Sequence, residues 1–424
     1  MDLPLTVQQR FFWDRPGGDD GLYALIPFPF LLLGSVDLDR LQSSIQRLID
    51  RHDALRTRII LVPGLLPRQE FPTVTQYPVE MIDLSDRDAQ AGAIEARLQL
   101  EIQARFERKI AFDTDSLFAA TLFKLAPTRH ALVLWVNHLL ADGHTPSLLL
   151  QDLWRLYGGA LSHEADGGPM QYSQYCAWQQ EVRTAWIGEQ RPYWATRLSD
   201  ALPIEWPGIR TGPLEPHGVS EGASRDVDAA TTASLRAQAK RSRKPLSLYA
   251  VTAYAATVRE WCNQSDFVLT VMVTGRLAKE HLRIVGYLAQ PLYMRVQTTR
   301  EAGFDSLLNT ISKEYFSALF HRDFGQTVLE NPALGAGALF QWFPADWHLA
   351  PDASLHLGFR VEPLAFKPRG FFHEKFKLGV FVYETADHLS IRAGFSPDCV
   401  RRATVERLLE EIRAQLERQA LNGQ

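Results

Sequence analysis

Asn137-His138-Leu139-Leu140-Ala141-Asp142-Gly143 is the stretch on which the reading of this chain turns. It follows Ala131-Leu132-Val133-Leu134-Trp135-Val136, a short apolar run of β type with the composition of a strand covered on both faces. The chain then turns through His138, Asp142 and Gly143 and enters a helical pattern. Thr145 suits the N-cap of that helix and Pro146 its first position. A histidine on a tight turn at a strand end can present one ring nitrogen to a cleft. An aspartate four residues later can point back into the protein and brace the loop. The glycine beside it lets a backbone N–H come close to a substrate. Taken alone, His-x-x-x-Asp-Gly is short, and its Asp and Gly are common turn residues. A plain strand-to-helix connection explains it equally well, so the rest of the chain has to decide.

The chain has 424 residues, 46% hydrophobic and 22% charged, an ordinary globular balance. That length exceeds what one core usually serves, so two domains are expected. Net charge is -4 and the pI about 6.3, with no long basic block, which argues against nucleic acid as the main partner. Lys240, Arg241, Arg243 and Lys244 form a short basic cluster, read as a solvated helix end. Cys176, Cys262 and Cys399 are odd in number and lack metal spacing. They suggest a reducing compartment and are read as buried small apolar residues. Met1 to Thr6 lacks the charged and apolar regions of a signal peptide. Phe28 to Leu33 is too short and Pro-broken to span a bilayer, so a cytoplasmic location with no membrane partner is expected.

The first part reads as mixed α/β: a short helix from Thr6 to Phe12, β character over Tyr23 to Leu33, then an amphipathic helix over Asp39 to Arg51. Leu41, Ile45, Leu48 and Ile49 share one face of that helix, and Asp37 or Asp39 can cap it. Leu55 to Ile60 looks like a strand and Ala89 to Phe106 like a long helix. Leu117 to Leu125 leads into a strand that should pair near Ala131–Val136. The helix after the motif runs to about Tyr157. Gly158-Gly159 and His163 to Pro169 form the best linker, which sets domains at 1–165 and 170–424. Tyr172 to Leu198 is helical, and its tryptophans Trp178, Trp186 and Trp194 are read as core or docking contacts. Further helices are expected over Pro245–Cys262, Phe304–Phe320 and Thr404–Leu421. Strands are expected over Phe267–Val273, Pro291–Val296, Leu378–Tyr383 and Leu389–Phe395, the last two paired.

These landmarks, in order, resemble the condensation domains of nonribosomal peptide synthetases, within the wider chloramphenicol acetyltransferase group. Leu5-Thr6-Val7-Gln8-Gln9-Arg10 looks like the opening motif, and Arg51-His52-Asp53-Ala54-Leu55-Arg56-Thr57 is similar to the second. Asn137 to Gly143 stands where the family has His-His-x-x-x-Asp-Gly. Tyr172 to Gln179, Val273-Thr274-Gly275-Arg276 and Gly286-Tyr287-Leu288-Ala289-Gln290-Pro291-Leu292 resemble later motifs. The resemblance implies an α/β fold of two acetyltransferase-like subdomains arranged as a V. A central tunnel is implied, with the histidine at the junction and carrier proteins at either end. Three departures stand out: Asn137 replaces the first histidine, Asp53 replaces Glu or Gln, and Ala289 replaces an asparagine.

The implied reaction is acyl transfer, in which an amine or hydroxyl attacks a carrier-bound thioester and a thiol leaves. Positioning supplies much of the rate of such a reaction. An α-amino group titrates near pH 8, roughly, so an amine needs less help from a base than a hydroxyl does. His138 is the expected base, and the Gly143 N–H a donor to the oxyanion. No Ser or Cys lies at the motif to form an acyl-enzyme. Asp142 is expected to brace the loop through an ion pair, with Arg276 the leading partner and Arg56 the second. Asn137 is expected to keep a structural hydrogen bond, and His144 to face solvent. Tunnel-facing residues near Val273, Ala289, Phe340, Trp342 and His356 could shape selectivity, and core packing explains them equally well.

The end of the chain at Gln424 suggests a free-standing enzyme served in trans by an acyl or peptidyl carrier protein, with phosphopantetheine carried by that partner and no cofactor of its own. Amide and ester formation are both compatible, as is chain release. Two other classes stay open: epimerisation of a carrier-bound aminoacyl group, and a non-catalytic domain that recruits enzymes to a carrier.

Overall fold

The computed structural model describes residues 2–13, 25–73, 77, 79–86, 92–161, 168–210, 221–322, 338–344, 355–366 and 377–422. Along the first half the elements are β1 (Asp2–Pro4), α1 (Val7–Trp13), β2 (Leu25–Gly34), α2 (Leu38–Arg51), β3 (Arg58–Ile60), β4 (Arg68–Glu70), β5 (Glu80–Asp83), α3 (Ala93–Phe106), β6 (Phe118–Ala126), β7 (Arg129–Asn137), α4 (Thr145–Tyr157) and α5 (Tyr172–Leu198). There follow β8 (Glu221–Val227), α6 (Ala229–Ser242), α7 (Leu246–Cys262), β9 (Asp266–Val273), β10 (Gln290–Gln297), α8 (Phe304–Phe320), β11 (Ala338–Phe343), β12 (Phe359–Pro363), β13 (Leu378–Glu384), β14 (Leu389–Phe395) and α9 (Arg402–Asn422).

These elements sort into two compact units. One takes Met1–Val182, Thr274–Ala289 and Trp347–Arg369; the other takes Arg183–Val273, Gln290–Asp346 and Gly370–Gln424. The units are discontinuous in the chain, where the sequence suggests one boundary between residues 165 and 170. Composition marks a polar linker well, but it carries no sign that a later segment returns to an earlier core. Residues 162–167 of that linker lie outside the described residues.

The first unit is built on a five-stranded sheet of order β12-β2-β7-β6-β5, antiparallel except for β5 against β6. β7 is its central strand, and His130 to Asn137 are all buried, as an apolar run covered on both faces requires. The expected pairing holds, with Phe118 opposite Val136 and Leu122 opposite Leu132. A second, antiparallel sheet has the order β1-β4-β3. On α2, Leu41, Ile45, Leu48 and Ile49 are buried as a stripe, and full burial of each contributes about 1.5–3 kcal/mol. Asp37 is the cap: its side chain accepts the Arg40 N–H at 3.0 Å.

Leu55–Ile60 is not one strand. A 3-10 turn over Asp53–Arg56 precedes β3, because Thr57 Oγ1 closes back on the Ala54 carbonyl at 2.8 Å and Asp53 is engaged elsewhere. Asp53 Oδ1 and Oδ2 accept the Tyr172 and Ser173 N–H groups at 2.9 and 3.2 Å, so this second-motif carboxylate caps α5. Aspartate does that work with a shorter arm than Glu or Gln.

The second unit holds a six-stranded sheet of order β10-β9-β11-β13-β14-β8, in which β11 runs parallel to both neighbours and the remaining pairs are antiparallel. Its core gathers Leu269, Phe340, Val380 and Ile391 from the strands, Tyr254 and Val258 from α7, and Leu409 and Ile412 from α9. The basic cluster ends α6. Lys240, Arg241 and Arg243 are exposed there, where cations complement the helix C-terminus. All three cysteines are free. Cys176 and Cys399 are buried, whereas Cys262, in the last turn of α7, is only half-buried. No helix among the described residues is long and apolar enough to cross a membrane.

Candidate active site around His138

β7 ends at Asn137, which is fully buried. Its Oδ1 accepts the Leu139 N–H at 2.9 Å, and its backbone carbonyl accepts the Leu140 N–H at 2.9 Å. The side chain thus closes the turn two residues on, a bond that asparagine makes readily. This accounts physically for asparagine at the position of the family's first histidine.

His138 is half-buried, with Nδ1 2.8 Å from the Ala141 carbonyl. A carbonyl only accepts, so this geometry assigns the Nδ1 proton as the donor. In the neutral ring the basic nitrogen is then Nε2. The Tyr287 ring meets the imidazole edge-on, with centroids 5.5 Å apart and planes at 88°.

Asp142 is buried at the end of the same turn. Its Oδ2 receives Arg276 Nη1 at 2.5 Å and the backbone N–H groups of Leu288 and Ala289 at 3.0 Å each. Its Oδ1 receives the N–H groups of His144 at 3.0 Å and Thr145 at 3.1 Å. Burial pushes the carboxyl pKa up, but the guanidinium charge and these donors outweigh burial and hold it below the usual carboxylate range. Asp142 is therefore the group that caps α4. Thr145 does not sit at the N-cap as the sequence suggests; it is the first helical residue and His144 precedes it. Thr145 Oγ1 lies 2.9 Å from the Gly286 carbonyl and 3.1 Å from Asp142 Oδ1. Gly143 is the half-buried turn residue between the carboxylate and the helix.

Two glycines let Thr274–Ala289 approach this closely. Gly275 has φ +67°, and a Cβ there would lie 2.0 Å from the Leu288 carbonyl oxygen. A Cβ on Gly286 would lie 2.3 Å from the Tyr172 ring. Between them Arg276 Nη2 donates to the carbonyls of Ile284 at 2.9 Å and Gly286 at 3.0 Å.

Arg56 is not a partner of Asp142. Its Nη1 donates to the carbonyls of Ile49 and Asp50 at 2.9 Å, and its Nε to that of Pro72 at 3.0 Å. The 3-10 turn after His52 brings this side chain back onto the last carbonyls of α2, which lack partners within the helix. Of the other candidates, Ala289 acts through its backbone N–H, which any residue but proline supplies. Phe340 is core and His356 is exposed. Val273 and Trp342 pack against the core of the second unit.

Sequence reasoning missed a further buried carboxylate, Asp152 on α4. It receives Arg51 Nε and His52 Nε2 at 3.0 Å and Arg283 Nη2 at 2.7 Å. Burial raises its pKa, but these partners win and bring it to about 2. Burial lowers the pKa of His52 despite Asp152. The signal was present in the adjacent Arg51-His52 of the second motif. The opening-motif residue Gln9 was also missed: its Nε2 donates to the Leu139 carbonyl at 3.1 Å.

The fold and the order of its motifs together define a domain of the condensation type. The family model described as Condensation domain matches residues 3–424, and the chain belongs to that family. Surfactin synthase subunit 1 of Bacillus subtilis (strain 168) is 25% identical over 433 residues, covering 98% of this chain and 11% of that protein. Tyrocidine synthase 3 of Brevibacillus parabrevis is 23% identical over 400 residues, covering 91% of this chain and 6% of that protein. The chain thus spans about a tenth or less of the length of the first curated relatives it matches. Among solved structures, the X-domain from teicoplanin biosynthesis has a TM-score of 0.82 at 18% identity, covering 99% of this chain and 95% of that one. SgcC5 from Streptomyces globisporus has a TM-score of 0.77 at 18% identity, covering 99% of both chains. The shared fold is the mixed α/β fold of the condensation domains, like that of chloramphenicol acetyltransferase.

Proposed function

We propose that the chain is an acyltransferase that moves an acyl group from a carrier-protein thioester to an amine or hydroxyl acceptor. The observation that carries this reading is the hydrogen bond from His138 Nδ1 to the Ala141 carbonyl, which makes Nε2 the proton-accepting nitrogen. The acceptor nitrogen or oxygen attacks the thioester carbonyl carbon. A C–N or C–O bond forms and the acceptor proton passes to Nε2. The C–S bond then breaks, and the same proton goes to the departing sulfur. The Gly143 N–H serves the oxyanion of the tetrahedral intermediate. Asp142 braces the loop with Arg276 and touches no substrate.

Support for the reading comes from the condensation-domain family match over residues 3–424 and from relatives named as synthases, surfactin synthase subunit 1 and tyrocidine synthase 3. In this reading the donor rides on phosphopantetheine of a partner carrier protein, and the transfer as written calls on no cofactor of the chain's own. SgcC5, of the same fold, was solved in complex with a naphthyl-substituted ethanediol and sucrose, so hydroxyl compounds belong beside amines in the acceptor panel. A second reading has one observation of its own: the teicoplanin X-domain was solved in complex with OxyB, so a domain of this fold can bind another protein.

One experiment separates the readings. The protein is incubated with an acyl-carrier thioester and a panel of amines and alcohols, beside His138→Ala. Acyl transfer is expected to fall about 10²–10⁴-fold in the variant while its thermal midpoint is unchanged. Equal inertness of both proteins, with carrier binding retained, replaces catalysis by recruitment.

A further inference from the structure

Gln9, in α1, is wholly buried. Its Nε2 donates to the Leu139 carbonyl at 3.1 Å and to Gln69 Oε1 at 2.9 Å. Its Oε1 accepts the Thr6 N–H at 2.9 Å and Gln69 Nε2 at 2.9 Å. Both protons and both lone pairs of the amide are in use, so the group has one orientation. Gln69, on β4, is also wholly buried. Its Nε2 further approaches the Pro4 carbonyl at 3.1 Å and Cys176 Sγ at 3.5 Å. The Thr6 N–H on Oε1 and the Leu139 carbonyl on Nε2 by themselves set which way the Gln9 amide faces, and Gln69 completes its pairing; Gln9 in turn fixes the Leu139 carbonyl.

That carbonyl belongs to the peptide linking Leu139 to Leu140, inside the turn that joins His138 to Ala141. Leu139 and Leu140 are both fully buried, so no bulk water stands ready to replace a lost donor. The Leu139 N–H is pinned by Asn137, whereas Gln9 holds the carbonyl. Without Gln9 the peptide gains by rotating toward another donor. Ala141 follows, and its carbonyl no longer faces His138 Nδ1.

We propose that Gln9 is a positioning residue for His138, holding the turn in the one geometry that keeps the ring proton on Nδ1. Its kinetic consequence rests on the acyl-transfer reading above; its effect on the imidazole does not. The test compares Gln9→Met with Gln69→Met, which disturbs the same amide pair but leaves the Gln9–Leu139 bond and the Thr6 bond in place. Histidine ring carbons are labelled and the Cδ2 resonance of His138 is assigned among the 12 histidines by its loss in His138→Gln. Spectra are taken at pH 8.5, well above the reference imidazole pKa of about 6.5.

Gln9→Met is expected to move that resonance away from the Nδ1–H position, and Gln69→Met to leave it there. With an accepted substrate, kcat falls about 10- to 100-fold in Gln9→Met at unchanged KM. If Gln9→Met does not fold, the Gln9→Met/Gln69→Met double variant, which leaves neither amide half-paired, gives the same two readouts. A wild-type resonance in Gln9→Met, or in the double variant, overturns the proposal, as does an equal shift in Gln69→Met. If the wild type transfers no acyl group, the functional reading falls, while the resonance still decides the role of Gln9.

Discussion

Asp142 and Arg276 meet at 2.5 Å with both side chains no more than 2% exposed. Removing two charges from water costs several kcal/mol per ion, roughly, so the pair persists only because other bonds complete it. Asp142 has four backbone N–H donors besides the guanidinium, and Arg276 also reaches three backbone carbonyls. The pair joins the turn that carries His138 to Thr274–Ala289, a segment more than 130 residues away in the chain. Its energetic return is low, and what it secures is a single geometry for the turn.

Breaking the pair from one side leaves an uncompensated charge. Asp142→Ala is expected to lower unfolding free energy by about 3–5 kcal/mol, read as a reduced urea midpoint. Arg276→Met strands a carboxylate that still has its four N–H donors, so its cost is smaller than that of Asp142→Ala. The double variant is expected to cost less than the two single losses added. Additive losses would mean that the two residues act independently.

Much of this arrangement is legible in the sequence, and the part that is not has a common physical cause. Helices α5 and α8 occupy the spans their patterns indicate, because their apolar spacing is set by the side chains themselves. His138, Asp142 and Arg276 stand in motifs, and the structure brings the last two together. The Leu288 and Ala289 donors could not be found this way, since a backbone N–H has no residue signature. Arg56 was misassigned for a related reason: its partners are backbone carbonyls exposed by a 3-10 turn that six β-like residues conceal. The Arg283–Asp152 bond depends on the return of a distant segment, which topology decides and local pattern does not.

Acid should destabilise the first unit in two stages. The His52 pKa lies below its ordinary value of 6.5, so the unfolded chain takes up a proton first and stability declines as pH falls through 6.5. Asp152 has the carboxylate sign. Its pKa is about 2 against 3.8, so its contribution is complete above pH 3.8 and is lost as pH falls toward 2. That difference corresponds to about 2 kcal/mol. Urea midpoints at pH 7.5, 5 and 3 are expected to fall in order, and Asp152→Asn should flatten the drop below pH 4. Midpoints that stay level from 7.5 to 3 would contradict both assignments.

Three glycines give a graded test of how tightly Thr274–Ala289 is held. At Gly286 an added methyl meets the Tyr172 ring at 2.3 Å, and Tyr172 is itself buried and bonded through its hydroxyl to the Tyr287 carbonyl at 3.2 Å, so it cannot step aside cheaply. At Gly275 the obstacle is backbone, the Leu288 carbonyl oxygen at 2.0 Å, in a residue whose N–H also holds Asp142. Gly64, at the turn between β3 and β4, shares the positive φ (+78°) but has nothing within 4 Å. Alanine at Gly64 therefore meets only the left-handed backbone penalty, about 1–2 kcal/mol. Alanine at Gly275 or Gly286 is expected to cost at least 3 kcal/mol, roughly, the scale of a buried clash added to that penalty. Because both displace the donors of Asp142, they should also move the His138 ring resonance, which Gly64→Ala leaves in place. Equal thermal midpoints for all three variants would show that the returning segment yields freely and that Asp142 does not depend on its placement.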